Sequence, residues 1–129
     1  MRLPADTRQS LLSKYHTAGI KIVASAFGST EHPTSEGVDP TQRANTFAEF
    51  ILQYQLGGID VDYEDSGAID KRDGTAEKWL ITFTQTLRQK LPQGKYLLTH
   101  ARRFSSSMKR PLANRIHHST CALVLNRVP

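Results

Sequence analysis

Residues 58–65, Gly58-Ile59-Asp60-Val61-Asp62-Tyr63-Glu64-Asp65, decide the fold. Asp60, Asp62 and Glu64 alternate with Ile59, Val61 and Tyr63. A period of two with β-branched and aromatic partners predicts a strand. Residues two apart share a strand face, so the three carboxylates form one row with neighbouring Cα atoms about 6.6 Å apart. The other face is apolar throughout, which argues against a solvated edge. Burying acids on a core-like strand is costly, and such a row is expected where chemistry uses it.

The pattern extends outward from this strand in both directions. Before it, Asp39-Pro40-Thr41-Gln42 predicts a helix start, with Asp39 as cap, Pro40 in the first turn and Gln42 completing a capping box. Ala44, Phe47, Ala48, Ile51 and Leu52 recur at helical spacing, and Gly57-Gly58 is the expected stop. Further upstream, Asp6 is the expected cap of a helix running to Ala18, with Leu11, Leu12 and Tyr15 on its apolar side. Ile20–Phe27 reads as a buried strand, and residues 28–38 as a polar loop. After the acids, residues 65–74 read as a turn-rich loop. Thr75 caps a third helix carrying Leu80, Phe83, Leu87 and Leu91, and residues 95–100 form a third strand. Three helix–strand units with strands starting near residues 20, 58 and 95 imply an α/β fold with a parallel sheet. Right-handed crossovers then bring the strand C-termini, and the acids, to one end, where parallel α/β folds build their sites.

Composition bounds the rest. The chain has 129 residues, 38% of them hydrophobic, and a net charge of +5. All 12 acidic residues precede Arg102, whereas Arg102, Arg103, Lys109, Arg110, Arg115 and Arg127 follow without an acid. The basic balance is therefore a property of residues 102–129, and a nucleic-acid reading of the whole domain loses its support. Residues 1–101 are expected to be the domain, and 102–129 a poorly ordered basic tail, with one short strand open at 121–125. No run approaches the roughly 20 apolar residues of a membrane helix, so no membrane partner is expected. The amino terminus lacks the apolar core of a signal peptide. The lone Cys121 excludes an internal disulfide.

Closely spaced acids raise one another's pKa, so one of a set can keep a proton near neutral pH and donate it. Glu64, nearest the strand's open end, is best placed to reach a substrate, and Asp62 to orient a group beside it. Neighbours on one strand cannot flank a scissile bond as paired glycosidase carboxylates do. The row suits a reaction whose substrate supplies its own nucleophile. Metal readings fit less well. An EF-hand loop from Asp60 requires glycine sixth and glutamate twelfth, where Asp65 and Lys71 stand. An Asp60-x-Asp62 metal site for nucleotide-sugar transfer has no glycine-rich phosphate loop to support it. His117, His118 and Cys121 make a chance grouping rather than a ligand set. No metal or cofactor is expected. Ser25 has no His/Asp partner pattern, Trp79 reads as core, and His100 as a sugar contact or a hydrogen-bonded structural histidine.

The run Gly58-Ile59-Asp60-Val61-Asp62-Tyr63-Glu64 resembles the DGxDxDxE signature of glycoside hydrolase family 18, the chitinases and endo-N-acetylglucosaminidases. Ser25-Ala26-Phe27-Gly28 resembles that family's SxGG strand motif, with Phe27 in place of a glycine. Residues 20–101 look like the third to fifth strands of the family's barrel, most like its fungal members. The resemblance implies a partial (β/α)8 TIM barrel of about three βα units. It implies Glu64 as general acid/base, Asp62 orienting the substrate's 2-acetamido group, and Asp60 tuning Asp62. Tyr63, Ser25, Phe27 and His100 become candidate substrate contacts. Chitin or another N-acetylglucosamine-containing glycan is the implied partner, and an extracellular setting the implied location. Gly57 stands in place of the signature's first aspartate. Arg102-Arg103-Phe104 replaces the usual apolar continuation, which reads as a truncated or out-of-frame end. A non-catalytic carbohydrate-binding remnant and a non-functional fragment are the alternatives.

Overall fold

A computed structural model describes residues 3–101 and the strand 122–125. The remaining tail, including the His117/His118/Cys121 grouping, lies outside the described residues. The elements run α1 (Ala5–Thr17), β1 (Lys21–Phe27), α2 (Pro40–Gln53), β2 (Gly58–Asp62), α3 (Ser66–Lys71), α4 (Thr75–Lys90), β3 (Leu97–His100) and β4 (Ala122–Leu125). The strands form one parallel sheet in the order β3-β2-β1-β4.

Strand register sorts the side chains into two faces. Ala24 aligns with Ile59 and Leu98, and Ala26 with Val61 and His100. That face meets α2 and α4, which bring Phe47, Ala48, Ile51, Trp79, Phe83 and Leu87 into the core. Full burial of each large apolar side chain stabilises by roughly 1.5–3 kcal/mol. On the other face Ser25 aligns with Asp60 and Thr99, and Val23 with Gly58 and Leu97. Leu12 of α1 joins the same core as α2 and α4, so the core lies on one face of the sheet. A doubly wound sheet carries helices on both faces, which the described residues do not show.

Gly58 answers to a close approach. A Cβ there would meet the carbonyl oxygen of Leu97 at 2.0 Å, so no larger residue lets β3 pair at this point.

Several expected boundaries move. Helix α2 starts as expected, with the Asp39 carboxylate accepting the Gln42 N–H at 2.6 Å. It stops at Gln53, before the glycines. Gln55 takes a left-handed φ of 54° while Leu56 N–H closes the end on Ile51 O. The turn needs only one left-handed residue, and glutamine supplies it at a modest local cost. Asp6 is no cap, because α1 begins one residue earlier behind Pro4 without any side-chain cap. Leu11 and Leu52 are exposed rather than core. Helix α4 begins at Thr75 with Gly74 in the cap position, and Asp73 accepts the Thr75 N–H. The loop expected over 65–74 contains α3, capped by Asp65.

Candidate active site

At the C-terminal end of the sheet, Asp60 lies on the face opposite the α2 and α4 core. Asp60 and Asp62 project from β2, and Glu64 follows one residue beyond Tyr63; all three are half-buried. Asp60 sits between its register partners Ser25 and Thr99, and the Thr99 hydroxyl donates to its Oδ1. Gly28 N–H donates to the backbone carbonyl of Asp62 at 2.8 Å. A Cβ on Gly28 would lie 3.9 Å from Asp62 Oδ2, so the carboxylate rests above this glycine. The backbone carbonyl of Glu64 is held by Ser66 N–H at 2.7 Å. Ser25, Asp60 and Thr99 thus share one register row, Asp62 lies two residues further along β2, and Glu64 follows the strand's end.

Tyr63 points the other way. It is 7% exposed, its ring lies 5.8 Å from that of Trp79, and its hydroxyl donates to Thr34 Oγ1 at 2.7 Å. Burial pushes its pKa above the ordinary value, with Asp65 and Glu77 adding to the rise against the Thr34 hydrogen bond. Expected as a substrate contact, it instead packs in the helix-side core beneath the acids. Trp79 is core, its indole N–H donating to Val38 O at 2.7 Å.

Two other expected substrate contacts are corrected. Phe27 falls in register with Asp62, but its φ of 75° turns the ring to the helix side. There it packs on Phe47, Tyr63, Trp79 and Phe83 at 5.2–6.4 Å. Its left-handed backbone reverses the side-chain direction that strand alternation alone dictates. His100 shares the register of Val61, hence the helix side. Its Nε2 lies 3.3 Å from Thr84 Oγ1 in a hollow of about 310 Å³ with Leu80 and Ile81. Burial lowers its pKa, with Asp60 opposing and Arg88 assisting. It contacts the Thr84 hydroxyl on the helix side, and Thr99, one residue earlier, faces Asp60.

Asp65 is the residue that sequence reasoning passed over. It is the fully buried charged side chain among the described residues. It accepts hydrogen bonds from Ser35 N–H at 2.7 Å, Ser35 Oγ at 2.6 Å and Ala68 N–H at 3.1 Å. Burial works to raise its pKa, but these donors outweigh it and hold the carboxyl below the ordinary range. The signal available in the sequence was Asp65-Ser66-Gly67-Ala68, an aspartate placed as a helix cap.

A larger hollow of about 440 Å³ lies at the opposite pole of the sheet, among His16, Lys21, Leu52, Gln55 and Tyr96. No carboxylate lines it, and it stands apart from the acid row.

The described helices pack on one face of the parallel sheet, and the other face carries the Ser25–Asp60–Thr99 row with Asp62 two residues beyond. No family model and no curated protein matches the chain. Among solved structures it is similar to a GH18 chitinase from Pseudoalteromonas aurantia, with 29% identity and a TM-score of 0.64. The similarity covers 76% of this chain and 36% of that one, so the chain spans about a third of that chitinase's length. The fold is thus glycoside hydrolase family 18-like over most of the described residues.

Proposed function

We propose that the chain carries the acidic strand of a family 18-type glycosidase, cleaving β-1,4 linkages between N-acetylglucosamine units. The observation that supports it is the placement of Asp60 and Asp62 on β2, with Glu64 directly after the strand, at the C-terminal end of a chitinase-like parallel sheet. In this reading Glu64 gives its proton to the glycosidic oxygen as the C–O bond breaks. The substrate's own acetamido oxygen attacks the anomeric carbon and forms a cyclic oxazolinium ion, which Asp62 orients and stabilises. Water then opens the ring, and Glu64 recovers a proton from it. Asp60, held by Thr99, sets the charge beside Asp62. Family 18 is an exception to the two-carboxylate scheme, which removes the need for an opposing acid. The described strands form part of a (β/α)8 barrel in this account.

Chitooligosaccharide turnover by the purified protein tests it. Turnover is expected, and Glu64→Gln abolishes it while leaving the fold intact. A second reading, carbohydrate binding without turnover, is favoured by one observation: the chain spans 36% of the chitinase it resembles. Saturable oligosaccharide binding with no products supports that second reading.

A further inference from the structure

Asp65 is a buried carboxylate that the proposed reaction does not use. Beyond the end of β2, Tyr63 and Asp65 are both buried, whereas Glu64 between them is half-buried. A buried charge costs several kcal/mol unless well satisfied. Among the described residues no lysine or arginine answers it; three hydrogen-bond donors do, two of them from Ser35. On the other side of Glu64, the Tyr63 hydroxyl reaches Thr34, the residue next to Ser35. Both neighbours of Glu64 are therefore tied to one dipeptide of the β1–α2 loop.

That dipeptide is itself anchored. Val38 N–H bonds Pro33 O at 2.8 Å, Trp79 holds Val38 O, and Glu31 pairs with Arg43 at 2.7 Å. Room for the Ser35 hydroxyl depends on Gly67, where a Cβ would lie 3.0 Å from Ser35 Oγ.

We propose that Asp65 and Tyr63, gripping Ser35 and Thr34, form a two-point clamp that aims the Glu64 carboxyl at the leaving-group oxygen. Asp65 is on this account a positioning residue, acting through Glu64 without touching substrate. The inference rests on the function proposed above. A general acid needs exact placement only when the leaving group needs a proton. A sugar hydroxyl needs one, whereas a dinitrophenolate leaves without it.

Turnover of chitotetraose and of a 2,4-dinitrophenyl chitobioside therefore separates positioning from general damage. Asp65→Asn sets an amide N–H₂ against the donors of Ser35, and is expected to lower kcat on chitotetraose about 100-fold. The loss in kcat/KM on the dinitrophenyl substrate is expected to stay within about 3-fold, because that constant reports bond cleavage, which there needs no general acid, and not the later ring opening by water. The double variant Thr34→Val/Ser35→Ala removes both side-chain bonds from the loop, leaving Asp65 only the Ser35 N–H on that side, and covers the case in which Asp65→Asn does not fold. It is expected to show the same split. Equal losses on both substrates, or no loss in the folded double variant, overturn the clamp while the glycosidase reading stands. No turnover of either substrate by the unaltered protein overturns that reading, and the clamp's role with it.

Discussion

Phe83→Ala tests the packing on which the site stands. Phe83 is fully buried at the centre of the helix-side core. Its ring lies 5.0 Å from Trp79 in a stacked pair, 5.2 Å from Phe27 and 6.0 Å from Phe47. Removing a buried phenyl group costs the transfer free energy plus a cavity term, about 3–5 kcal/mol in all. Domains of this size hold roughly 5–15 kcal/mol in total, so the change consumes a large fraction. At roughly 4–8 °C per kcal/mol, the melting temperature falls by at least about 12 °C. Thermal melting by circular dichroism, with urea midpoints as a second measure, reads the effect. Ile81→Ala is the control, because Ile81 is 55% exposed on the same helix. Its cost is expected within about 0.5 kcal/mol. A loss below about 5 °C for Phe83→Ala, or equal losses for the two variants, refutes the core assigned here. Since Phe27 and Trp79 also hold Tyr63, the damage is expected to reach the strand end that carries Glu64.

Further tests follow from single groups. Asp65 has a folded pKa below its ordinary 3.8, so its stabilisation is fully present above that value and is lost as pH falls through the lowered one. Urea midpoints measured from pH 7 to pH 2 are expected to fall across that window, and the difference between wild type and Asp65→Asn to shrink toward the acid end. A constant difference contradicts the assignment. Asp39→Ala removes the carboxylate that caps α2 at the Gln42 N–H. A loss of about 1 kcal/mol is expected in urea denaturation, and none at all contradicts the cap.

Much of the fold was legible because strand alternation and helical spacing are local. Ile59 and Val61 opposite Asp60 and Asp62, the Asp39 cap, and the α4 face of Phe83 and Leu87 all follow from short-range pattern. Other features depend on backbone angles or on partners far along the chain. Helix α3 has six residues, too few for periodicity to register, and Asp65 went unread with it. The end of α2 rests on a left-handed Gln55, which composition does not announce.

By itself, the chain of residues determined the alternating helices and strands, the parallel sheet and the row of Asp60 and Asp62 on one face of β2. These follow from side-chain periodicity and from the rules of parallel crossover connections. Only the tertiary structure decided which residues accompany that row. Register between strands chose Thr99 over His100, a positive φ turned Phe27 into the core, and a loop 30 residues away satisfied Asp65. Each of these depends on atoms distant in sequence meeting at hydrogen-bond or van der Waals range, which no local pattern specifies.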